Sequence, residues 1–352
     1  MNDSPVLPLD DASLADYLRA RGIAEASDEI VVEPAGDGNI NWVRRARGRD
    51  ASWIVKQARP ALERFPEYQA STERIVFEER WFAVARPLDV RGVCPRILSF
   101  DEPRRVLVLE DLGDAERLDH ALAHGADVRP ALYAVVELLA AVHAATRDPA
   151  LAQRFRNTDM HRLHGEHIFR LPFAANEFPL APTLHARAER VWRDAELAAI
   201  AAAAYRRYDE PRGALLHGDV QAGNVLLPAG GGAKLLDAEI AHVGDPAFDV
   251  GLLLAHVLLP GLTRDALLAA ADVAAATWAA YTKGENAYQP SFAEVARYAG
   301  IEIMRRTIGA ARVAAVADTA VALVAVDLAA MLMRRPPESV DAFLADLRAF
   351  AR

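Results

Sequence analysis

The first 110 residues alternate apolar and polar positions in short runs, and the rest of the chain follows mostly a helical period. Residues Ser13 to Arg21 carry a helical pattern that stops at Gly22. Glu29 to Glu33, Ile40 to Ala46, Ser52 to Ala58 and Arg105 to Glu110 are short and rich in Val, Ile and Leu, as strands are. Thr72 to Ala85 lies between the third and fourth and predicts one helix. A mostly antiparallel sheet carrying a helix follows from that order.

From Asp119 onward the pattern predicts helices almost throughout, among them Leu197 to Tyr208, Arg264 to Tyr281, Phe292 to Ala311 and Val316 to Met333. The expected fold is therefore α+β with two lobes, residues 1–112 and 113–352. Pro60 to Gln69 and Asp159 to Pro182 are expected as loops. The second carries His161, His164 and His167 at three-residue spacing; without Cys or acidic ligands beside them, a polar loop near the cleft is preferred over a metal cluster.

One interruption of the helical region carries chemistry. His217-Gly218-Asp219 is followed by Asn224, then by apolar runs Val225 to Leu227 and Lys234 to Leu236 around a glycine-containing turn, then by Asp237 and Glu239. The two runs predict a hairpin, whose ends meet in space. Asn224 and Asp237, thirteen positions apart, then converge on one cation, with Glu239 as a further ligand. Hard oxygen donors of this kind suit Mg²⁺. Asp219 stands before the hairpin as the general base for an attacking hydroxyl, the arrangement phosphoryl transfer requires. His-Gly-Asp with that Asn arises by accident on the order of once per thousand chains of this length at ordinary residue frequencies.

A nucleotide site needs phosphate contacts and a cation. Gly36, Gly38, Asn39 and Asn41 lie in the turn between the first two strands, where glycines let backbone N–H groups approach phosphate oxygens. Lys56 ends the strand Trp53-Ile54-Val55-Lys56, and Glu73, Glu78 and Glu79 on the following helix offer it partners. Glu78 is expected, because Val76, Phe77 and Trp81 place it near a buried face. Glu110 and Leu112 belong to a hinge whose backbone groups can receive a purine.

Composition narrows the partners. An apolar fraction of 52% and a charged fraction of 25% are those of a globular protein, and a net charge of -9 argues against nucleic acid or an anionic membrane. Cys94 is the only cysteine, and the N-terminus lacks a secretory pattern, so a reducing cytoplasm is expected. The most apolar stretch, Val250 to Leu259, is too short to span a bilayer and predicts a buried helix.

Together these residues resemble the aminoglycoside phosphotransferase and choline kinase superfamily, over most of the chain. Gly36 to Asn41, Ile54 to Ala58, Glu73 to Glu78 and Ile303 to Gly309 look like segments of bacterial 5-methylthioribose kinases. The resemblance implies a protein-kinase-like fold, ATP and Mg²⁺, a homodimer, and a sugar substrate contacted by Arg305 and Arg306. Ala238 stands where those kinases tend to have proline, Asn224 where they have serine, and the chain is shorter than usual for them. The acceptor is thus expected to be methylthioribose or a related sugar, with aminoglycoside or amino-alcohol phosphorylation, or a non-catalytic nucleotide-binding module, as alternatives. Residues 262–352 hold ten acidic and ten basic side chains, a balance that favours a neutral or anionic acceptor over a polycation.

Overall fold

The computed structural model describes residues 7–36, 41–61, 69–263, 266–284 and 288–352. The N-terminal lobe contains helix α1 (Leu14–Ala20), strands β1 (Val31–Pro34), β2 (Trp42–Arg47) and β3 (Ser52–Gln57), helix α2 (Arg74–Ala85), and strands β4 (Ile97–Asp101) and β5 (Val106–Glu110). The strands form one sheet in the order β1-β2-β3-β5-β4, every pair antiparallel. Strand β4 has no counterpart in the sequence expectation. Its half-buried Ile-Leu-Ser-Phe-Asp pattern at the sheet edge shows little alternation.

Period-2 alternation decides which side chains face which helix. Trp53, Val55, Val106 and Val108 bury against Leu14, Tyr17 and Leu18 of α1, while Ile54, Leu107 and Leu109 pack with Ile75 and Val76 of α2. Lys56 shares its parity with Ile54 and so points to the α2 side. On α2, Arg74, Glu78, Trp81, Phe82 and Ala85 are all buried at the i, i+4, i+7, i+8 spacing of one helix face. That face brings two charges and two aromatic rings to the middle of the molecule.

After β6 (Glu116–Arg117) the chain is helical: α3 (Leu118–His124), α4 (Arg129–Ala145), α5 (Ala150–Arg154), α6 (Thr158–Gly165), α7 (Pro182–Trp192) and α8 (Ala195–Asp209). Short strands β7 (Ala214–Leu216), β8 (Val225–Leu227), β9 (Lys234–Leu235) and β10 (His242–Gly244) then hold the polar motif. Helices α9 (Ala247–Thr263), α10 (Leu267–Tyr281), α11 (Phe292–Ile308), α12 (Thr319–Arg334) and α13 (Val340–Phe350) complete the lobe. Helix α9 is its buried centre, packed by α10 and α11. Among the described residues no helix is long and apolar enough to cross a membrane.

The segment from Asp159 to Pro182 is not the loop its polar histidines suggested. It begins in α6, passes through one π turn at Glu166–Arg170 and a 3₁₀ turn at Leu171–Phe173, and is extended only beyond them. Met160, Ile168, Phe169 and Phe173 anchor it in the core. The imidazoles join that packing: the His161 ring lies 4.1 Å from Tyr208 and 4.4 Å from His242, centroid to centroid.

Candidate active site

The two lobes meet at a lysine surrounded by acids. Lys56 Nζ lies 2.8 Å from Glu78 Oε2, 2.5 Å from Asp237 Oδ1 and 2.7 Å from Glu239 Oε1, with Lys56, Glu78 and Glu239 almost fully buried and Asp237 half-exposed. Burial alone would strip the proton from Lys56, but the three carboxylates outweigh it and hold its pKa well above the ordinary lysine value. Three acids against Lys56 and the more distant Arg74 leave an excess of negative charge. Burial, against the pull of Lys56 and with the push of Glu239 and Asp237, raises Glu78 to about 8. Asp237 goes the other way: its surroundings raise it, and Lys56 more than reverses that.

Asn41 joins the same cluster from the turn between β1 and β2. Its amide donates to Glu239 Oε1, and its Oδ1 accepts from Arg74 Nη2 at 2.8 Å and Nε at 3.1 Å. Arg74 also approaches Glu239 to 3.5 Å. Gly36 has φ of 67°, the left-handed backbone that favours glycine. Gly38 and Asn39 lie outside the described residues.

The loop that carries Asp219 hangs from a buried acid. Asp249, at the start of α9, accepts the backbone N–H groups of His217 at 2.8 Å and Gly218 at 2.9 Å, and its Oδ2 lies 3.3 Å from His143 Nε2. Gly218 has φ of 86°, and a Cβ there would lie 2.5 Å from the Ile240 carbonyl oxygen. The Trp81 ring of α2 meets His217 edge-on at 5.0 Å, joining the lobes behind the loop. Asp219 follows directly. Its Oδ2 accepts from Asn224 Nδ2 at 2.9 Å and Gln221 Nε2 at 3.0 Å, while its Oδ1 is buried without a hydrogen-bond partner.

The expected hairpin is present. Val225 pairs with Leu235 and Leu226 with Lys234, and the Leu236 N–H donates to the Asn224 carbonyl at 2.9 Å, which places Asn224 beside the residue preceding Asp237. Asp237 has φ of 65°, a left-handed conformation that Asp tolerates better than most residues. Asn224 spends its amide hydrogens on Asp219, so Oδ1, 3.5 Å from Gln221 Nε2, is the atom it could offer a cation. Glu78, Asp237 and Glu239 offer carboxylate oxygens within 4.8 Å of one another, a hard-oxygen set that fits Mg²⁺. Lys234 ties the hairpin to the hinge, 3.0 Å from Glu110 Oε1, and Arg45 bonds Asp111 and the Gly113 carbonyl on either side of Leu112.

On the far side of Asp219 lies α11. Arg305 and Arg306 are both buried there, held by Glu302: Arg305 Nη1 is 3.1 Å from Oε2 and Arg306 Nε is 2.5 Å from Oε1. His256 approaches the same acid to 3.2 Å. Both guanidinium groups feel the Asp219 charge.

The phosphotransferase enzyme family profile matches residues 31–290, three-quarters of the chain, from the first strand to the tenth helix. The chain belongs to that family. It is a kinase with an alcohol group as acceptor. Methylthioribose kinase of Bacillus cereus strain AH820 is 27% identical over 343 residues, covering 87% of this chain and 86% of that protein. The enzyme of the same name from Bacillus anthracis strain A0248 is 26% identical over the same shares. Among solved structures, AMP-bound spectinomycin phosphotransferase superposes with a TM-score of 0.52 at 11% identity, covering 96% of this chain and 99% of that one. Choline kinase LicA from Streptococcus pneumoniae gives 0.51 at 14% identity, covering 95% and 99%. These structures share the two-lobed fold.

Two residues near this site, Arg74 and Asp249, escaped the sequence reading, and a third, His164, was placed near the cleft without a role. Arg74 resembles an ordinary helix charge until its spacing of four from Glu78 is placed on a buried face. Asp249 sits among apolar residues at the start of a core helix, where a lone acid is itself a signal, since unpaired buried carboxylates are costly. His164, on the segment first read as loop, places Nε2 3.9 Å from Asp219 Oδ1.

Proposed function

We propose that this kinase transfers the γ-phosphate of ATP, with Mg²⁺, to a hydroxyl of 5-methylthioribose or a closely related sugar. Residues 1–112 form the nucleotide lobe in this reading, with Gly36, Gly38, Asn39, Asn41 and Lys56 toward the phosphates and Glu110 and Leu112 toward the purine. Glu78 holds Lys56. Asp237, Glu239 and Asn224 are the metal ligands, and the ion supplies neutralisation of the phosphate charge. Asp219 orients the acceptor hydroxyl and takes its proton. Its Oδ2 is fixed by Asn224 and Gln221, so Oδ1 is the oxygen left for that task.

The arginine pair carries the choice of acceptor. Two buried guanidinium groups beside the catalytic acid, compensated by one Glu302, disfavour a polycationic aminoglycoside and suit a neutral polyol rich in acceptor oxygens. The 27% identical methylthioribose kinase over most of both chains supports the same acceptor. A coupled ADP-release assay over methylthioribose, other pentoses, aminoglycosides and amino alcohols tests the reading. Methylthioribose or a related sugar is expected to give the highest kcat/KM; turnover confined to aminoglycosides or amino alcohols would overturn it.

A further inference from the structure

His164, whose Nε2 lies 3.9 Å from Asp219 Oδ1, and Arg305 and Arg306, whose charges interact with Asp219, leave several buried polar atoms unused. His164 Nδ1 and Nε2, Arg305 Nε and Arg306 Nη2 are all closed to solvent and without hydrogen-bond partners, as is Asp219 Oδ1 itself. A buried donor or acceptor left unpaired costs about 1–3 kcal/mol. Such a cluster on three separate elements is therefore costly unless something completes it. His164 is the most telling member: only 5% of its surface is exposed, yet neither ring nitrogen does structural work. The ring is wedged edge-on to Phe248, 6.1 Å between centroids, and the π turn that follows α6 packs against α11.

We infer that His164 is a specificity-determining contact for the acceptor, holding the hydroxyl adjacent to the one that Asp219 orients, so that the two side chains together read a vicinal diol. This rests on the sugar-kinase reading above. The oxygens of neighbouring gauche hydroxyls lie closer together than the 3.9 Å between His164 Nε2 and Asp219 Oδ1, so two roughly parallel hydrogen bonds of ordinary length reach both. Burial, reinforced by the Arg305 charge, holds His164 well below the usual histidine range. At Nε2 a neutral ring presents either an N–H or a bare nitrogen according to its tautomer, and a hydroxyl pairs with either.

The test pairs His164→Leu and His164→Gln with a sugar found active in the panel and its analogue lacking the neighbouring hydroxyl. Wild type is expected to lose about 10- to 100-fold in kcat/KM on the deoxy analogue, the cost of orphaning a buried polar group. In His164→Leu that penalty should vanish, with acceptor KM raised for the full sugar, ATP KM unchanged and His164→Gln intermediate. His164→Leu should also melt at or above wild type, because it removes two unpaired buried nitrogens. A deoxy penalty that persists in His164→Leu, a parallel rise in ATP KM, or a lower melting temperature overturns the inference while leaving the kinase reading intact. Absence of turnover with every sugar, with ATP still bound, overturns the sugar-kinase reading and the diol contact with it.

Discussion

Asp249 grips the backbone of His217, accepting its N–H at 2.8 Å from a site with no solvent exposure. The same carboxylate takes the Gly218 N–H, so one side chain at the head of the core helix fixes the approach of the chain to Asp219. Burial raises its pKa, and His143, His217 and the Gly218 amide together pull it below the ordinary aspartate value. Replacing Asp249 with Ala orphans two buried N–H groups at about 1–3 kcal/mol each. The expected outcome is a marked loss of thermal stability together with a fall in kcat larger than the change in ATP affinity. Normal kcat in the folded variant would show that the loop keeps its geometry without this anchor.

The excess of acid around Lys56 predicts a pH effect. Glu78 is raised to about 8 in the folded protein, above the value near 4.5 of a free glutamate, so between those limits the native state binds the extra proton. Its contribution to stability is therefore full below about pH 4.5 and declines as pH rises toward about 8. Without divalent cations, melting temperature should fall over that window, and Glu78→Gln should flatten the fall. A Glu78→Gln profile parallel to wild type assigns the slope elsewhere.

Asp219 and Asn224 test the base. Asp219→Asn keeps the shape and the contact with Gln221 but removes the proton acceptor, so kcat should fall by about 10²- to 10⁴-fold with nucleotide binding retained. Asn224→Ala removes the amide that fixes Asp219 Oδ2 as well as the oxygen proposed for the metal, so its loss should depend on Mg²⁺ concentration where that of Asp219→Asn does not. Titration of ATP with and without Mg²⁺ separates the two.

How much of this was readable beforehand depends on the range of the interaction. Lys56 and Glu78 lie in short motifs that imply each other, and the structure brings them together; the hairpin between Asn224 and Asp237 also forms as expected, whereas the bond from Asn224 to Asp219, expected to stand apart from it, was not foreseen. Strand β4 was hidden because an edge strand half-buried on both sides has no clean period. The loop assignment of the segment that carries the three histidines failed for a related reason: imidazole counts as polar in a pattern, whereas His164 is buried beside Phe248 and the half-buried His161 packs on Tyr208 and His242, rings far away in sequence. Arg74 and Asp249 carry only weak local signals, a spacing of four from Glu78 and an acid in an apolar stretch, while the contacts through which they act are distant in sequence.

The arginine pair should separate by role. Arg306 makes the shorter contact with Glu302, 2.5 Å from Nε, and its Nη1 also donates to the Ala311 carbonyl at 3.3 Å, which fastens the end of α11 to the following turn. Arg305 has no bond beyond Glu302, reached at 3.1 Å, and its Nε is unpartnered. Removing Arg306 therefore uncovers a buried acid and frees a helix end, and Arg306→Met should lower the melting temperature more than Arg305→Met. Arg305→Met should instead raise acceptor KM by about tenfold or more with ATP KM little changed, a loss near 1.4 kcal/mol. Melting curves and paired KM measurements on the two variants check this order; equal destabilisation with equal KM effects would assign both arginines to structure alone.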